Sequence, residues 1–210
     1  MLVSLIAFSA LLAPQTVELT PTDDIWVYPH AGDPQTDEFL RVWGTTGQAV
    51  SGDPAAAEEY GYSYLRFDIS KLPNKKPTSA ELVLTHIPDP GWQPADSKAA
   101  PLEVRLLSKD FTEKTWDYGK AKDIFPPSGK GAVVATTFAE KVEAGKPVVF
   151  RVELMKDADK FKLTGNTINL ALTSAIDPAN IGNRAVYKFY SKDTAKAELR
   201  PKLILKFPEN

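Results

Sequence analysis

The sequence predicts an all-β protein: a two-sheet antiparallel β-sandwich (jelly roll) with one short helix. Three observations carry this. About ten short runs alternate apolar and polar residues with period two, the mark of strands whose successive side chains leave opposite faces. Seventeen prolines and twelve glycines separate those runs, as turns and loops require. One segment alone, Met155 to Leu163, has apolar residues at helical spacing (Leu154, Ala158, Phe161) and a Gly165-Asn166 stop.

Taken in order, Met1 to Ala13 is almost wholly apolar. It is shorter than the roughly 20 residues a membrane-spanning helix needs and reads as a secretory signal peptide, which implies an extracellular or cell-surface location. Residues 14–210 then form one domain, a size common for a β-sandwich. Val17 and Leu19 begin a first strand. In Asp24-Ile25-Trp26-Val27-Tyr28, Ile25 and Val27 share one face, and Asp24, Trp26 and Tyr28 share the other. In Phe39-Leu40-Arg41-Val42-Trp43, Leu40 and Val42 point inward and Phe39, Arg41 and Trp43 outward. Residues 44–60 read as loop, with one helical turn at Ala55 to Glu59.

The clearest strand is Tyr62 to Ile69, stopped by Leu72-Pro73. Ser63, Leu65, Phe67 and Ile69 face a core. Tyr62, Tyr64, Arg66 and Asp68 face either a second interface or a binding surface. Ala80 to Ile87 follows, with apolar residues on both faces, and then a proline-rich loop carrying Trp92. Leu102 to Leu106, Val133 to Phe138, Val148 to Leu154, Ile168 to Leu172, Val186 to Tyr190 and Leu203 to Phe207 complete the strands. Residues 111–125 are irregular and include Trp116.

Bulk properties exclude several classes. A net charge of −2 provides no basic excess for nucleic acid. The absence of cysteine excludes disulfides and thiolate metal sites. The two histidines, His30 and His86, lie in no zinc or nucleophile motif, and no HExxH, GxSxG or Walker loop occurs. The chain therefore reads as non-enzymatic, with His30, Tyr28 and Arg41 as the one fragment of a lyase-like set.

Four segments resemble the DNRLRE-type domain of secreted bacterial and archaeal proteins, which is related to jelly-roll carbohydrate-binding modules. They are Asp24 to Tyr28 with Leu40-Arg41-Val42; Tyr64 to Ser70 with Leu72-Pro73 and Ser79 to Leu84; Phe111 to Trp116; and Phe189 to Asp193 with Arg200 to Leu203. The likeness spans residues 16–208. It implies a jelly roll with a non-catalytic role outside the cell, often beside polysaccharide-degrading domains, and one branch is associated with alginate.

The candidate ligand-binding residues are Trp26, Tyr28, Arg41, Trp43, Tyr64, Arg66 and Trp92. Aromatic planes stack on the apolar faces of sugars, and Arg forks pair with carboxylates, so this set suits an anionic polysaccharide. The competing reading is that the aromatic face lies under a neighbouring sheet or loop. Asp23 and Asp24, with Asp33, Asp37 and Asp193, offer hard oxygen ligands to calcium, although aspartate is also an ordinary turn residue. A structural surface subunit that self-associates through sheet edges is the alternative to a glycan-binding module.

Overall fold

The structure is a computed structural model, and it describes residues 14–27, 37–47, 60–143, 145–157, 159–177 and 186–209. Among these are eleven strands: β1 (Gln15–Leu19), β2 (Asp23–Val27), β3 (Phe39–Val42), β4 (Tyr62–Asp68), β5 (Ser79–His86), β6 (Leu102–Leu106), β7 (Val133–Thr137), β8 (Val148–Glu153), β9 (Thr167–Thr173), β10 (Tyr187–Tyr190) and β11 (Lys202–Phe207). They form the antiparallel sandwich that the alternating pattern predicts.

The first sheet has the order β1-β11-β5-β10-β3, with β8 on the other edge of β5. The second has the order β2-β4-β9-β6-β7. The chain switches sheets at nearly every step, as in a jelly roll. After β3 it crosses between them: Trp43 bridges to Gly61 and Thr45 to Ser174, beside β4 and β9.

The main core lies between the sheets. Leu65, Phe67, Leu170 and Leu172 meet Leu82, Leu84, Phe150, Phe189 and Leu205. Apolar area removed from water at about 25 cal/mol per Å2 drives this packing, without help from disulfides. His86 belongs to the same core. Its ring is fully buried among Trp92, Phe150, Tyr187 and Phe189, and Nδ1 lies 2.9 Å from the Lys188 carbonyl oxygen.

A second, smaller core covers the outer face of the β2–β4–β9 sheet. Ile25, Val27, Tyr60, Tyr62, Tyr64 and Ala171 pack under Leu107, Phe111, Trp116 and Ala121 of the β6–β7 connection. Cross-strand register explains the membership. Ile25 pairs with Tyr64 and Val27 with Tyr62, so these four share a face. The register sets the facing of β2: Ile25 and Val27 join the tyrosines, and Trp26 shares the face of its partner Ser63. Arg105, 1% exposed, pins the covering segment by donating to the carbonyl oxygens of Pro127 (2.7 Å) and Gly129 (2.8 Å).

The helix expected at Met155 to Leu163 is absent from the described residues there, which form turns and loop; Leu154 and Phe161 are buried as loop-borne plugs. Among the described residues two short helices lie elsewhere, α1 (Pro94–Ala99) and α2 (Tyr118–Asp123). Pro94 opens α1, where a missing N–H costs nothing. Asp117 caps α2 by accepting from the Lys120 N–H at 2.9 Å. No helix of the described residues is long and apolar enough to cross a membrane. The expected signal segment (residues 1–13) and the helical turn at Ala55 to Glu59 lie outside the described residues.

Candidate functional site

Trp26, Arg41 and Trp43 come together where the edges of the two sheets meet. Trp26 leaves the edge strand β2, while Arg41 and Trp43 lie on β3 and its crossover. The Trp26 and Trp43 ring centroids are 6.1 Å apart, with the planes tilted by 47°. The Arg41 guanidinium carbon sits 4.9 Å from the Trp26 ring centroid. All three side chains are half-buried, and both indoles pack partly against the main core.

Asp37 organises this group. Its Oδ2 accepts from Trp26 Nε1 (3.1 Å) and from the Arg41 guanidinium, and its Oδ1 accepts from the Phe39 backbone N–H (3.1 Å). Ser191 Oγ donates to the Asp37 carbonyl oxygen at 2.8 Å, which ties the group to the end of β10. Trp43 is fixed by reciprocal backbone bonds with Gly61 of 2.9 and 3.0 Å. Gly61 is also a steric requirement: a Cβ there would lie 2.4 Å from the Trp43 ring.

The outward face of β3 and β10 continues the site. Arg41 pairs in register with Lys188, and Phe39 with Tyr190. Lys188 Nζ lies 4.5 Å from the Phe39 ring centroid, and the Phe39 and Tyr190 rings are 5.1 Å apart. Two cations directly opposite each other disfavour folding locally. Each is relieved by a ring, and each by a carboxylate: Asp37 for Arg41, and Asp89, 3.9 Å away, for Lys188.

The other expected ligand-binding residues lie elsewhere. Tyr64 is fully buried in the second core, against Tyr62, Phe111 and Trp116, and its hydroxyl donates to the Ile124 carbonyl oxygen at 2.8 Å. Burial pushes its phenol well above the ordinary range. Its face is covered by the β6–β7 connection, so Tyr64 is a packing residue. Trp92 is 4% exposed and plugs the main core against His86 and Tyr187. Its loop folds inward instead of presenting the ring to solvent.

Arg66 is a structural clamp. It forks onto Asp110 (2.8 and 3.3 Å) and also donates to Thr22 Oγ1 (2.9 Å) and Asp23 Oδ2 (3.3 Å). The hydrogen bond to Asp110 is the main cause holding its pKa above the usual value. Tyr28 lies outside the described residues, as do His30 and Asp33.

Asp23 and Asp24 take separate roles. Asp23 Oδ1 accepts from Thr112 Oγ1 (2.7 Å) and the Glu113 N–H (3.2 Å), while Oδ2 accepts from Thr22 Oγ1 (2.9 Å) and Arg66. Each oxygen accepts two hydrogen bonds, so Asp23 caps the 3-10 turn at Glu113–Thr115. Asp24 is 2% exposed; its Oδ2 accepts from the Lys192 backbone N–H (2.7 Å), and its Oδ1 has no partner. Burial pushes its carboxyl up to about 7, opposed by that hydrogen bond.

Asp24 gathers with Glu113 and Asp193, and Lys192 Nζ binds Glu113 Oε1 (2.7 Å) and Asp193 Oδ1 (2.8 Å). Burial alone would lower the Lys192 pKa, but the hydrogen bonds to Asp193 and Glu113 outweigh it and hold the ammonium above its ordinary value. Glu113 escaped the sequence reading because it lies 89 residues from Asp24. Lys188 and Gly61 were missed as well; their roles depend on strand register.

No protein-family model matches the chain, and no curated protein matches it. Among solved structures, the chain is similar to a xylan-binding module, CBM15, at a TM-score of 0.40 and 12% identity, over 94% of this chain and 100% of that one.

Proposed function

We propose that the protein is a secreted, non-catalytic polysaccharide-binding module, and that its Trp26–Arg41–Trp43 edge takes an acidic glycan. The observation that carries this reading is the pair of half-buried indoles 6.1 Å apart with a guanidinium against one of them. Flat aromatic faces suit the apolar faces of sugar rings. Among the described residues, Asp37 accounts for one of the five Arg41 donors, which leaves others for a carboxylate. Lys188, beside Arg41, extends the positive face. Asp37 and Gly61 hold the rings in place before any ligand arrives, which lowers the entropy cost of binding.

A glycan array of acidic and neutral polysaccharides, probed with the full chain at low and high salt, tests this proposal. The expected result is a selective acidic hit that weakens as salt is added. A blank array from a folded, monodisperse sample refutes it.

A further inference from the structure

The Asp24, Glu113 and Asp193 cluster has more negative charge than its neighbours neutralise. One carboxylate oxygen of each lies within 4.8 Å of the others. Carboxylates held this close repel unless a cation lies among them or one of them takes up a proton. The resident cation is the Lys192 ammonium, which pairs with Glu113 and Asp193. Asp24 is left with a buried oxygen, Oδ1, that has no partner, and an unsatisfied polar atom of this kind is costly.

The donor set is entirely hard oxygen. The cluster is graded from buried Asp24 through half-buried Glu113 to exposed Asp193, so solvent can supply further ligands from one side. Calcium takes six to eight oxygens in flexible geometry and suits such a set better than magnesium, which demands a strict octahedron. Lys192 stands on the turn after β10, and its side chain is 17% exposed, so it has a path to water.

We propose that Asp24, Glu113 and Asp193 form a calcium site in which the Lys192 ammonium is a displaceable counter-ion. The same turn supports the glycan edge. Ser191 donates to the carbonyl oxygens of Asp37 and Glu38, and the Lys192 N–H donates to Asp24. Cation occupancy therefore stiffens the support of Asp37.

The test is calorimetric titration of calcium chloride into the chelator-treated full chain, with melting temperature as a second readout. The wild type is expected to bind one calcium and melt higher. Lys192→Gln removes the competing charge and is expected to bind at least about tenfold more tightly. Lys192→Arg places a guanidinium that reaches more of the cluster and is expected to bind at least about tenfold more weakly. Asp24→Asn, which keeps an acceptor for the Lys192 N–H, is expected to lose binding. Equal affinity in the wild type and all three variants, or no calcium heat in either the wild type or Lys192→Gln, overturns the proposal. If Lys192→Gln folds only when calcium is added, that supports it; the Lys192→Arg and Asp24→Asn arms still decide the sign.

Discussion

Acidifying the protein from about pH 7 to about pH 4 sets two buried groups against each other. Burial lowers the His86 pKa from 6.5 to about 4, because an imidazolium among four aromatic rings has lost its water. The Lys188 backbone carbonyl favours the charged form, and the Lys188 ammonium opposes it. Between those two values the native state binds fewer protons than the unfolded chain. The His86 contribution is therefore full above pH 6.5 and is lost as the pH falls through 4. A drop of about 2.5 pH units corresponds to about 3 kcal/mol.

Asp24 has the opposite sign. Its carboxyl is raised from 3.8 to about 7, with Lys192, Glu113 and Asp193 facing it. Its contribution is full below pH 3.8 and is lost as the pH rises to about 7, a change of about 4 kcal/mol. The wild-type curve should be nearly flat over this window, because the two slopes largely cancel. Urea denaturation in chelator, followed by tryptophan fluorescence, resolves them. Asp24→Asn should make the protein lose stability on acidification by about 3 kcal/mol, and His86→Phe should make it gain by about 4 kcal/mol. Parallel curves for the wild type and both variants would refute the assignment of either group as a buried, shifted titrator.

Other outcomes follow from packing and clamps. Gly61→Ala drives a methyl to within 2.4 Å of the Trp43 ring and should cost about 1–3 kcal/mol in urea while shifting tryptophan emission; an unchanged midpoint and spectrum would contradict the close approach. Trp116→Ala opens the second core over Tyr64 and should cost about 3–5 kcal/mol, measured in the same assay. Arg66→Met breaks partly exposed pairs with Asp110 and Asp23 and should cost about 1 kcal/mol. Glycan affinity should be unaffected by Arg66→Met, and a large loss of binding would return Arg66 to the ligand site.

The strands were legible because period-two alternation survives wherever one face is buried, as in Leu65 and Phe67 against Arg66 and Asp68. What covers a face was not. Tyr62 and Tyr64 read equally as a platform or a packed surface, and the irregular segment around Phe111 and Trp116 decides for packing. The facing of β2 was not legible for a related reason: both of its sides meet apolar partners, so alternation alone cannot orient it. Met155 to Leu163 imitated a helix because two buried loop residues, Leu154 and Phe161, stand at helical spacing. The Asp117 cap of α2 was a usable signal, hidden in a stretch without strand periodicity. Trp26, Arg41 and Trp43 could be named from residue type, but their meeting depends on the β3 crossover, a tertiary event.

The most direct measurement is a two-dimensional NMR titration of the full chain with an acidic oligosaccharide, reading the four tryptophan indole N–H signals. Trp26 and Trp43 are expected to move together with the Arg41 Nε–H, while buried Trp92 and Trp116 stay still. Saturable shifts confined to Trp92, Trp116 or residues far from this edge would contradict that expectation, as would a chain whose indoles do not respond to any polysaccharide.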